Sequence, residues 1–416
     1  MSEDPYLWAD GAILKEHSKR KHKILREYLE KYLWVRCKLP FMTRFRLAIV
    51  EGFAGGGQYK CGSAGSPVIM LQTIQETMTQ INVFRAAQGM SELNIDILMI
   101  LNDADSEAVE ILKTNVAPVH ANIKATMSNL NVSIQYYSSL FEELYPTIKE
   151  QLAVNGHKSS VLFNLDPCGH SHVSTTTISD ILTTYTSGEI FFTFAIQTLI
   201  SFLQKNNRER LEKQLSPYGV TVKELDDLDG IVRKQEWLGA AEKTVFDRFK
   251  LFGQYTSPFS INNPNGWRYW MIHFANSYRA RQVFNDVLHD NKTSQAHFGR
   301  SGLNMLAYDP REEGALYLFD EEDRETAVKQ LYDDIPRAIA NYGDTINVGE
   351  FFGDIYNETP AHSDDINEAI HQNPDVAVIT DTGGERRKAN TIKPTDTLKL
   401  RNQRSFFQIL FPKDGI

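Results

Sequence analysis

"RLAIVEGFAGGGQYKCGSAGSP", residues 46–67, is the stretch that decides the fold. An apolar run, typical of a buried strand, ends at Glu51, and glycine occupies four of the next six positions. The pair Ser66 and Pro67 then predicts a helix start, because serine caps helices and proline suits the first helical turn. The stretch therefore predicts a strand, a glycine turn and a helix in succession.

Apolar runs and amphipathic segments keep alternating beyond this stretch. Strands are predicted at residues 45–51, 94–103, 131–137, 159–166 and 189–195, and helices at 66–87, 105–116, 138–153 and 175–186. Residues 13–35 predict a long helix ahead of them, with a basic run at 17–23 that is either a solvated face or a patch that touches phosphate. This alternation predicts a doubly wound, mostly parallel sheet with helices on its faces.

The glycine turn lies where parallel sheets bind ligands, at the carboxyl end of a strand. Glycine lets the backbone approach a ligand closely and adopt a positive φ. The turn has neither the Gly-Lys-Ser/Thr of a phosphate loop nor the G-x-G-x-x-G of a dinucleotide site, which disfavours a nicotinamide oxidoreductase. The carboxylate of Glu51 at its front edge would repel a pyrophosphate and favour a cationic or hydroxyl-bearing ligand.

Two more carboxylates follow predicted strands. Asp103 ends the second strand, in "LND", and Asp166 ends the fourth, in "NLDPCGH". Because the carboxyl ends of parallel strands meet at one edge of the sheet, we expect both near the glycine turn. Asp103 also precedes a helix, so a role at that helix N-terminus is the alternative to ligand binding.

The composition is that of an ordinary globular protein, 42% hydrophobic and 23% charged, with a net charge of −9. The acidic balance argues against a chain coated in nucleic acid but leaves room for local basic patches. The three widely spaced cysteines Cys37, Cys61 and Cys168 predict no disulfide framework and fit a reducing compartment. With no signal-peptide pattern and no apolar run of the roughly 18 residues that a membrane span needs, we expect a cytoplasmic protein without membrane contact.

The run "EGFAGGG" resembles motif I of the class I S-adenosylmethionine-dependent methyltransferases. The resemblance implies that S-adenosyl-L-methionine is the cofactor, with the glycine turn against its amino-acid part and ribose, and Asp103 on the ribose hydroxyls. The residues expected to bind the cofactor are Glu51, Gly52, Phe53, Ala54, Gly55, Gly57, Asp103 and Ser138.

The end of the fourth strand resembles two methyltransferase motifs at once. Asp166-Pro167 matches the first half of the (D/N/S)-P-P-(Y/F) motif of amino methyltransferases, which holds a target amine, whereas Cys168 and Gly169 differ from its second half. Pro167-Cys168 is also similar to the cytosine-C5 enzymes, in which the cysteine is the nucleophile.

Histidines follow in the same segment and could bind a metal ion or act as a base. Cys168, His170 and His172 have a spacing known from metal ligands, but without a second cluster we predict no metal site. His170 is then a candidate base or substrate contact. The predicted catalytic residues are Asp166, Pro167, Cys168 and His170.

A wider resemblance spans most of the chain. The basic first helix, "EGFAGGGQY", "GSAGSP", "LNDAD", "LDPCG", "YWMIHFANSYRARQVFNDVL" and the tail, in this order, resemble the three-Cys-motif partner protein family. The resemblance implies a methyltransferase-like fold and a partner protein that is similar to radical-S-adenosylmethionine enzymes.

The tail from about residue 343 has the order helix, turn, helix, strand, Gly-Gly turn and strand, which is the outline of a winged helix-turn-helix. Arg386, Arg387 and Lys388 would lie in its wing and contact nucleic acid. The expected fold is α/β, a doubly wound Rossmann-like methyltransferase sheet with a helical insertion and a C-terminal winged-helix-like domain. The expected segments are an N-terminal helical segment (1–44), the Rossmann-like methyltransferase core (45–197), the helical insertion (198–262), the completion of the core with connecting helices (263–342) and the winged helix-turn-helix-like domain (343–416).

These observations predict an S-adenosylmethionine-dependent methyltransferase that acts on an amine of a nucleic-acid base or a similar substrate. The alternative is a catalytically degenerate protein of methyltransferase fold, which binds nucleic acid or scaffolds the radical-S-adenosylmethionine-like partner.

Overall fold

The computed structural model describes residues 8, 11–157, 159–167, 173–203, 206–229, 231, 234–262, 268–291, 295–298, 303, 316–318 and 321–401. The chain divides into two compact units, Met1–Val283 and Phe284–Ile416.

Seven strands of the first unit form a sheet in the order β3-β2-β1-β4-β5-β7-β6. The strands are β1 (Arg44–Glu51), β2 (Asn94–Asp103), β3 (Leu130–Ser138), β4 (Ser160–Leu165), β5 (Ser187–Phe194), β6 (Tyr255–Asn262) and β7 (Arg268–Ala275). The first five pair in parallel, and β7 runs antiparallel to both β5 and β6. The prediction of an α/β fold with a mostly parallel sheet is confirmed.

Helices connect the parallel strands and extend the unit. They are α1 (Glu16–Cys37), α2 (Ser66–Ala87), α3 (Ser106–Thr126), α4 (Phe141–Val154), α5 (Thr175–Thr184), α6 (Ile196–Phe202), α7 (Arg208–Leu215), α8 (Val222–Asp229) and α9 (Lys234–Phe249). Helix α10 (Tyr278–Asp290) begins in the first unit and ends in the second. The segment predicted as a helical insertion contains α6 to α9 but ends in β6, whose Ser, Pro and Asn residues hide the strand pattern.

Strand β1 lies at the centre of the parallel part because its side chains are buried along most of its length. In the sheet register, Glu51 faces Leu101 of β2 on one side and Asn164 of β4 on the other. The strand order reverses between β1 and β4, which places the crevice of the switch point at the carboxyl ends of these two strands. The glycine turn leaves β1 at this crevice.

After the end of α10, the second unit contains a small antiparallel sheet and three helices among the described residues. Its elements are β8 (Gln295–Phe298), β9 (Leu316–Leu318), α11 (Glu321–Asn341), β10 (Thr345–Asn347), α12 (Val348–Ile355), α13 (Ser363–Gln372), β11 (Val376–Ile379) and β12 (Thr397–Leu400). Strands β10, β12 and β11 pair antiparallel in that order, and α11, α12 and α13 precede the two wing strands. This is the winged helix-turn-helix that the tail predicts, with its first helix beginning before residue 343.

A buried arginine fixes the connection between α1 and β1. Arg85 of α2 is 1% exposed and donates hydrogen bonds of 2.8 to 3.0 Å to the backbone carbonyls of Cys37, Leu39, Met42 and Ser91. One side chain thus holds the chain segment that leads into the central strand.

Replacing Arg85 with methionine is expected to lower the free energy of unfolding by about 3 kcal/mol, because several backbone carbonyls lose a charged donor. Urea denaturation measures the change. Arg26→Met is the matched control on α1, since its guanidinium is half exposed and pairs with the exposed Glu76; it should cost less than about 1 kcal/mol. Equal losses in both variants would show that the Arg85 contacts do not support the fold.

Candidate functional site

The glycine turn needs glycine at specific positions. Gly55 and Gly57 have φ values of 59° and 76°, in the left-handed region that side chains disfavour. A Cβ atom at Gly52 would lie 2.8 Å from the Leu165 side chain and 2.9 Å from the Phe141 ring. The turn therefore packs directly against the end of β4 and the start of α4.

Asn102 of β2 holds the turn from the neighbouring strand. Its carbonyl accepts the Ala54 N–H at 2.7 Å, and its amide donates to the carbonyls of Gly52 and Ser139, both at 3.0 Å. Since Asn102 is fully buried, these bonds tie the ends of β1, β2 and β3 into one rigid edge. The sequence reasoning missed this residue, because an asparagine before the acid "ND" gives no separate signal.

Asp103 meets the glycine turn directly. Its carboxylate accepts the N–H of Gly55 at 2.8 Å and that of Asp105 at 3.0 Å. In the sheet register Asp103 lies opposite Ser138 of β3. Three residues predicted to bind a cofactor are therefore close together. The cap of α3 is Asp105, whose side chain accepts the Glu107 N–H, so Asp103 is not used as that cap.

Glu51 is a buried acid with spare capacity for a hydrogen bond. One carboxyl oxygen, Oε2, accepts from the Asn164 amide at 2.9 Å and from the Ser66 hydroxyl at 3.2 Å. The other, Oε1, is buried without a hydrogen-bond partner among the described residues. Burial raises the pKa of Glu51 to about 8, so the side chain is mostly protonated at neutral pH.

Asp166, directly after β4, forms an ion pair with the first helix. Lys21 Nζ lies 2.6 Å from each carboxylate oxygen of Asp166. The Lys21 side chain is 9% exposed and that of Asp166 is 31% exposed. Burial by itself would raise the pKa of Asp166, but the charge and hydrogen bonds of Lys21, with a hydrogen bond from Thr193, hold that pKa below its ordinary value.

The lysines in the basic run of α1 therefore have two different surroundings: some are exposed to solvent, and one lies in the candidate site. Lys19 and Lys23 are exposed and pair with Glu16 and Glu27 on the same helix. Lys21 instead lies four residues before Leu25, on the buried face. A lysine at that point of an apolar stripe indicates a buried acid as its partner, and this is the sequence signal that could have placed Lys21 in the site.

His22 adds a neutral ring beside this ion pair. Burial and the charge of Lys21 lower the pKa of His22 to about 4, so the ring is uncharged at neutral pH. Its centre lies 5.7 Å from that of Tyr59, in the loop after the glycine turn.

Trp8 packs on the glycine turn from the N-terminal side. A Cβ atom at Gly56 would lie 2.7 Å from the indole Cε3, and one at Gly55 would overlap the same ring. The indole centre is 5.4 Å from the Tyr59 ring. The turn is thus covered by an aromatic side chain that no sequence pattern near it predicts.

The structure brings most of the predicted site residues to one edge of the sheet. Glu51, Gly52, Phe53, Ala54, Gly55, Gly57, Asp103 and Ser138 all lie at the shared carboxyl edge of β1, β2 and β3. Asp166 and Pro167 follow β4, next to this edge, whereas Cys168 and His170 lie outside the described residues. Among the residues that the structure describes, no group of three or more His, Cys, Asp or Glu side chains could hold a metal ion.

The predicted wing residues have two different surroundings. Arg386 donates two hydrogen bonds of 2.8 Å to the carboxylate of the buried Asp396. Arg387 and Lys388 are exposed. Arg386 therefore stabilises the wing, and only its two neighbours present their charges to solvent. Nucleic-acid binding by these residues stays a prediction.

Comparison with known proteins supports the winged helix-turn-helix in the second unit. Residues 307–383 match the family model of the GMT-like wHTH domain. No curated protein matches the chain. The chain is thus an α/β protein that carries a winged helix-turn-helix in its C-terminal part. No helix in the described part of the chain has the length and apolar character to cross a membrane.

The raised pKa of Glu51 predicts a pH-dependent stability. Folding favours the protonated acid, so its contribution is complete below the ordinary pKa of 4.5 and is lost as the pH rises through about 8. Between about pH 6 and pH 9, wild type should lose roughly 2.5 kcal/mol of unfolding free energy relative to Glu51→Gln.

Urea denaturation at several pH values tests this difference. Glu76→Gln, on exposed α2 surface, is the control and should follow wild type at every pH. Parallel curves for wild type and Glu51→Gln would show that Glu51 titrates normally.

Proposed function

We propose that the protein is an S-adenosylmethionine-dependent methyltransferase that acts on an amine of a nucleic-acid base or a similar substrate. The observation that carries the proposal is the contact between the Asp103 carboxylate and the Gly55 N–H at the switch point of the sheet. It joins a glycine turn and an acid from two neighbouring strands in the crevice where such sheets bind ligands. The sheet and the GMT-like wHTH match are compatible with a methyltransferase-like protein.

The residues at this edge fit a cationic, hydroxyl-bearing cofactor. Glu51 Oε1 is buried and without a hydrogen-bond partner among the described residues, and it can accept from an ammonium group once that cation has driven the acid to ionise. Asp103 has carboxylate lone pairs beyond the two backbone bonds and can accept from ribose hydroxyls. When bound, S-adenosylmethionine supplies an electrophilic methyl group on a sulfonium.

The chain's own part in the reaction is alignment. Asp166 would accept an N–H of the target amine, and the Pro167 carbonyl would accept the other. Two fixed acceptors orient the nitrogen lone pair toward the methyl carbon, which is where positioning lowers the barrier. The closeness of Asp166 to the glycine turn follows from the pairing of β4 with β1.

A second candidate function is nucleic-acid binding or scaffolding without catalysis. Two observations favour it: Lys21 engages both oxygens of Asp166, and the Trp8 indole covers Gly55 and Gly56. The exposed Arg387 and Lys388 of the wing would then contact phosphate. A radical-S-adenosylmethionine-like partner remains a prediction from family resemblance.

Calorimetric titration with S-adenosylmethionine separates the two candidates. Wild type should bind in the micromolar range, and Asp103→Ala should weaken binding by roughly tenfold or more, about 1.4 kcal/mol. Asp105→Ala is the matched control, because it removes the neighbouring acid, the cap of α3, without touching Gly55. Absence of binding by wild type would favour the noncatalytic function.

The wing is tested with a DNA duplex of about 20 base pairs over a range of salt concentrations. Arg387→Ala plus Lys388→Ala should lower the affinity and reduce the slope of log K against log salt by about 2, since each phosphate contact contributes roughly 0.9. Lys329→Ala, an exposed lysine on α11, is the control. An unchanged slope in the double variant would contradict phosphate contact by the wing.

A further inference from the structure

The ion pair between Lys21 and Asp166 bears on which amine the site can take. We propose that the acceptor is a neutral amine, such as the exocyclic amine of a heteroaromatic ring, and that Lys21 is the residue that excludes alkylammonium acceptors. This inference rests on the proposed function, because it concerns the acceptor side of the same site.

Lys21 and Asp166 are oppositely charged and in direct contact. Both oxygens of Asp166 are within 2.6 Å of Lys21 Nζ, so a full positive charge lies against the carboxylate. Lys21 is almost completely buried, whereas a third of the Asp166 side chain is exposed. A ligand therefore reaches the carboxylate from the exposed side of Asp166, where Lys21 already compensates the negative charge of that carboxylate.

Apart from Lys21, the described residues that shift the pKa of Asp166 are uncharged at neutral pH. His22 is neutral at neutral pH, and Thr193 contributes only a hydroxyl donor. In the cofactor-free protein, Glu51, the neighbouring acid whose pKa is raised further by Asp166, is mostly protonated. Lys21 and Asp166 together therefore present close to zero net charge to a ligand.

The two classes of acceptor amine differ in their charge at neutral pH. An alkyl amine has a pKa near that of lysine, about 10.4, and arrives as a cation that needs an uncompensated carboxylate. At this site it would be repelled by Lys21. An exocyclic heteroaromatic amine is neutral and needs only a lone pair as acceptor.

The carboxylate has such a lone pair to offer. A carboxylate provides about four lone-pair positions, of which Lys21 uses two and Thr193 uses one. In the transfer, the amine lone pair forms the new N–C bond while the S–C bond breaks and its electrons stay on sulfur. The proton lost from nitrogen passes to solvent at the exposed side of Asp166, and no further reactant is needed.

The test measures binding of an alkylammonium probe without cofactor. Titration with n-butylammonium, followed by NMR, should show about tenfold tighter binding by Lys21→Met than by wild type, because Asp166 is no longer compensated. Binding of the neutral amine 1-methylcytosine, measured with S-adenosylhomocysteine present, should not improve in that variant.

Four further variants serve as controls. Lys21→Arg keeps the charge and should behave as wild type, as should Lys19→Met, which removes an exposed lysine of the same helix. Adding Asp166→Asn to Lys21→Met should abolish the gain in n-butylammonium binding. Circular dichroism confirms folding, and Lys21→Gln replaces Lys21→Met if the methionine variant is unfolded.

Two results would overturn the inference. One is equal affinity of wild type and Lys21→Met for n-butylammonium, and the other is methylation of N-acetyl-lysine amide by the wild-type protein. Failure of the proposed function has a different signature, namely no binding of S-adenosylmethionine to wild type. The n-butylammonium series is measured without cofactor and decides the role of Lys21 in either case.

Discussion

The hydrogen bond between the Ala54 N–H and the Asn102 carbonyl is the constraint on which the candidate site depends. It joins the glycine turn after β1 to the end of β2, while the Gly52 N–H reaches the Asn164 carbonyl of β4 on the other side. A turn held from both neighbouring strands cannot drift from the edge of the sheet. The positions of Glu51, Asp103 and Asp166 relative to one another follow from this arrangement, because each acid lies at or next to the end of one of these strands.

Much of the sheet and the glycine turn could be predicted, because parallel strands buried on both faces are continuous apolar runs and because left-handed backbone calls for glycine. Strand β6 could not, since its Pro258 and polar residues depend on pairing with β7 for their conformation. The place of Lys21 could not be predicted either, because its basic run indicated only a solvated face or a patch that touches phosphate. Its role depends on Asp166, 145 residues away in sequence, and only the folded chain brings them together.

The winged helix illustrates the same division between local pattern and tertiary contact. Its order of helices and strands was predictable from the alternation of apolar segments and the Gly-Gly turn. The role of Arg386 was not predictable, because the three consecutive basic residues look alike in sequence. In the structure, Asp396, directly before β12, accepts hydrogen bonds from Arg386. What remains of the basic wing is two charges, beside a helix α13 whose exposed Asp364 and Glu368 are acidic.

The protonated state of Glu51 gives ligand binding a thermodynamic signature of its own. A cation that binds against this carboxyl favours the ionised form, so binding expels a proton into the solvent. The heat observed then includes the ionisation enthalpy of whichever buffer takes up that proton. Titrations in buffers of different ionisation enthalpy would therefore give the number of protons released per ligand. Because only a cation drives Glu51 to ionise, that number reports the charge of the ligand that binds there.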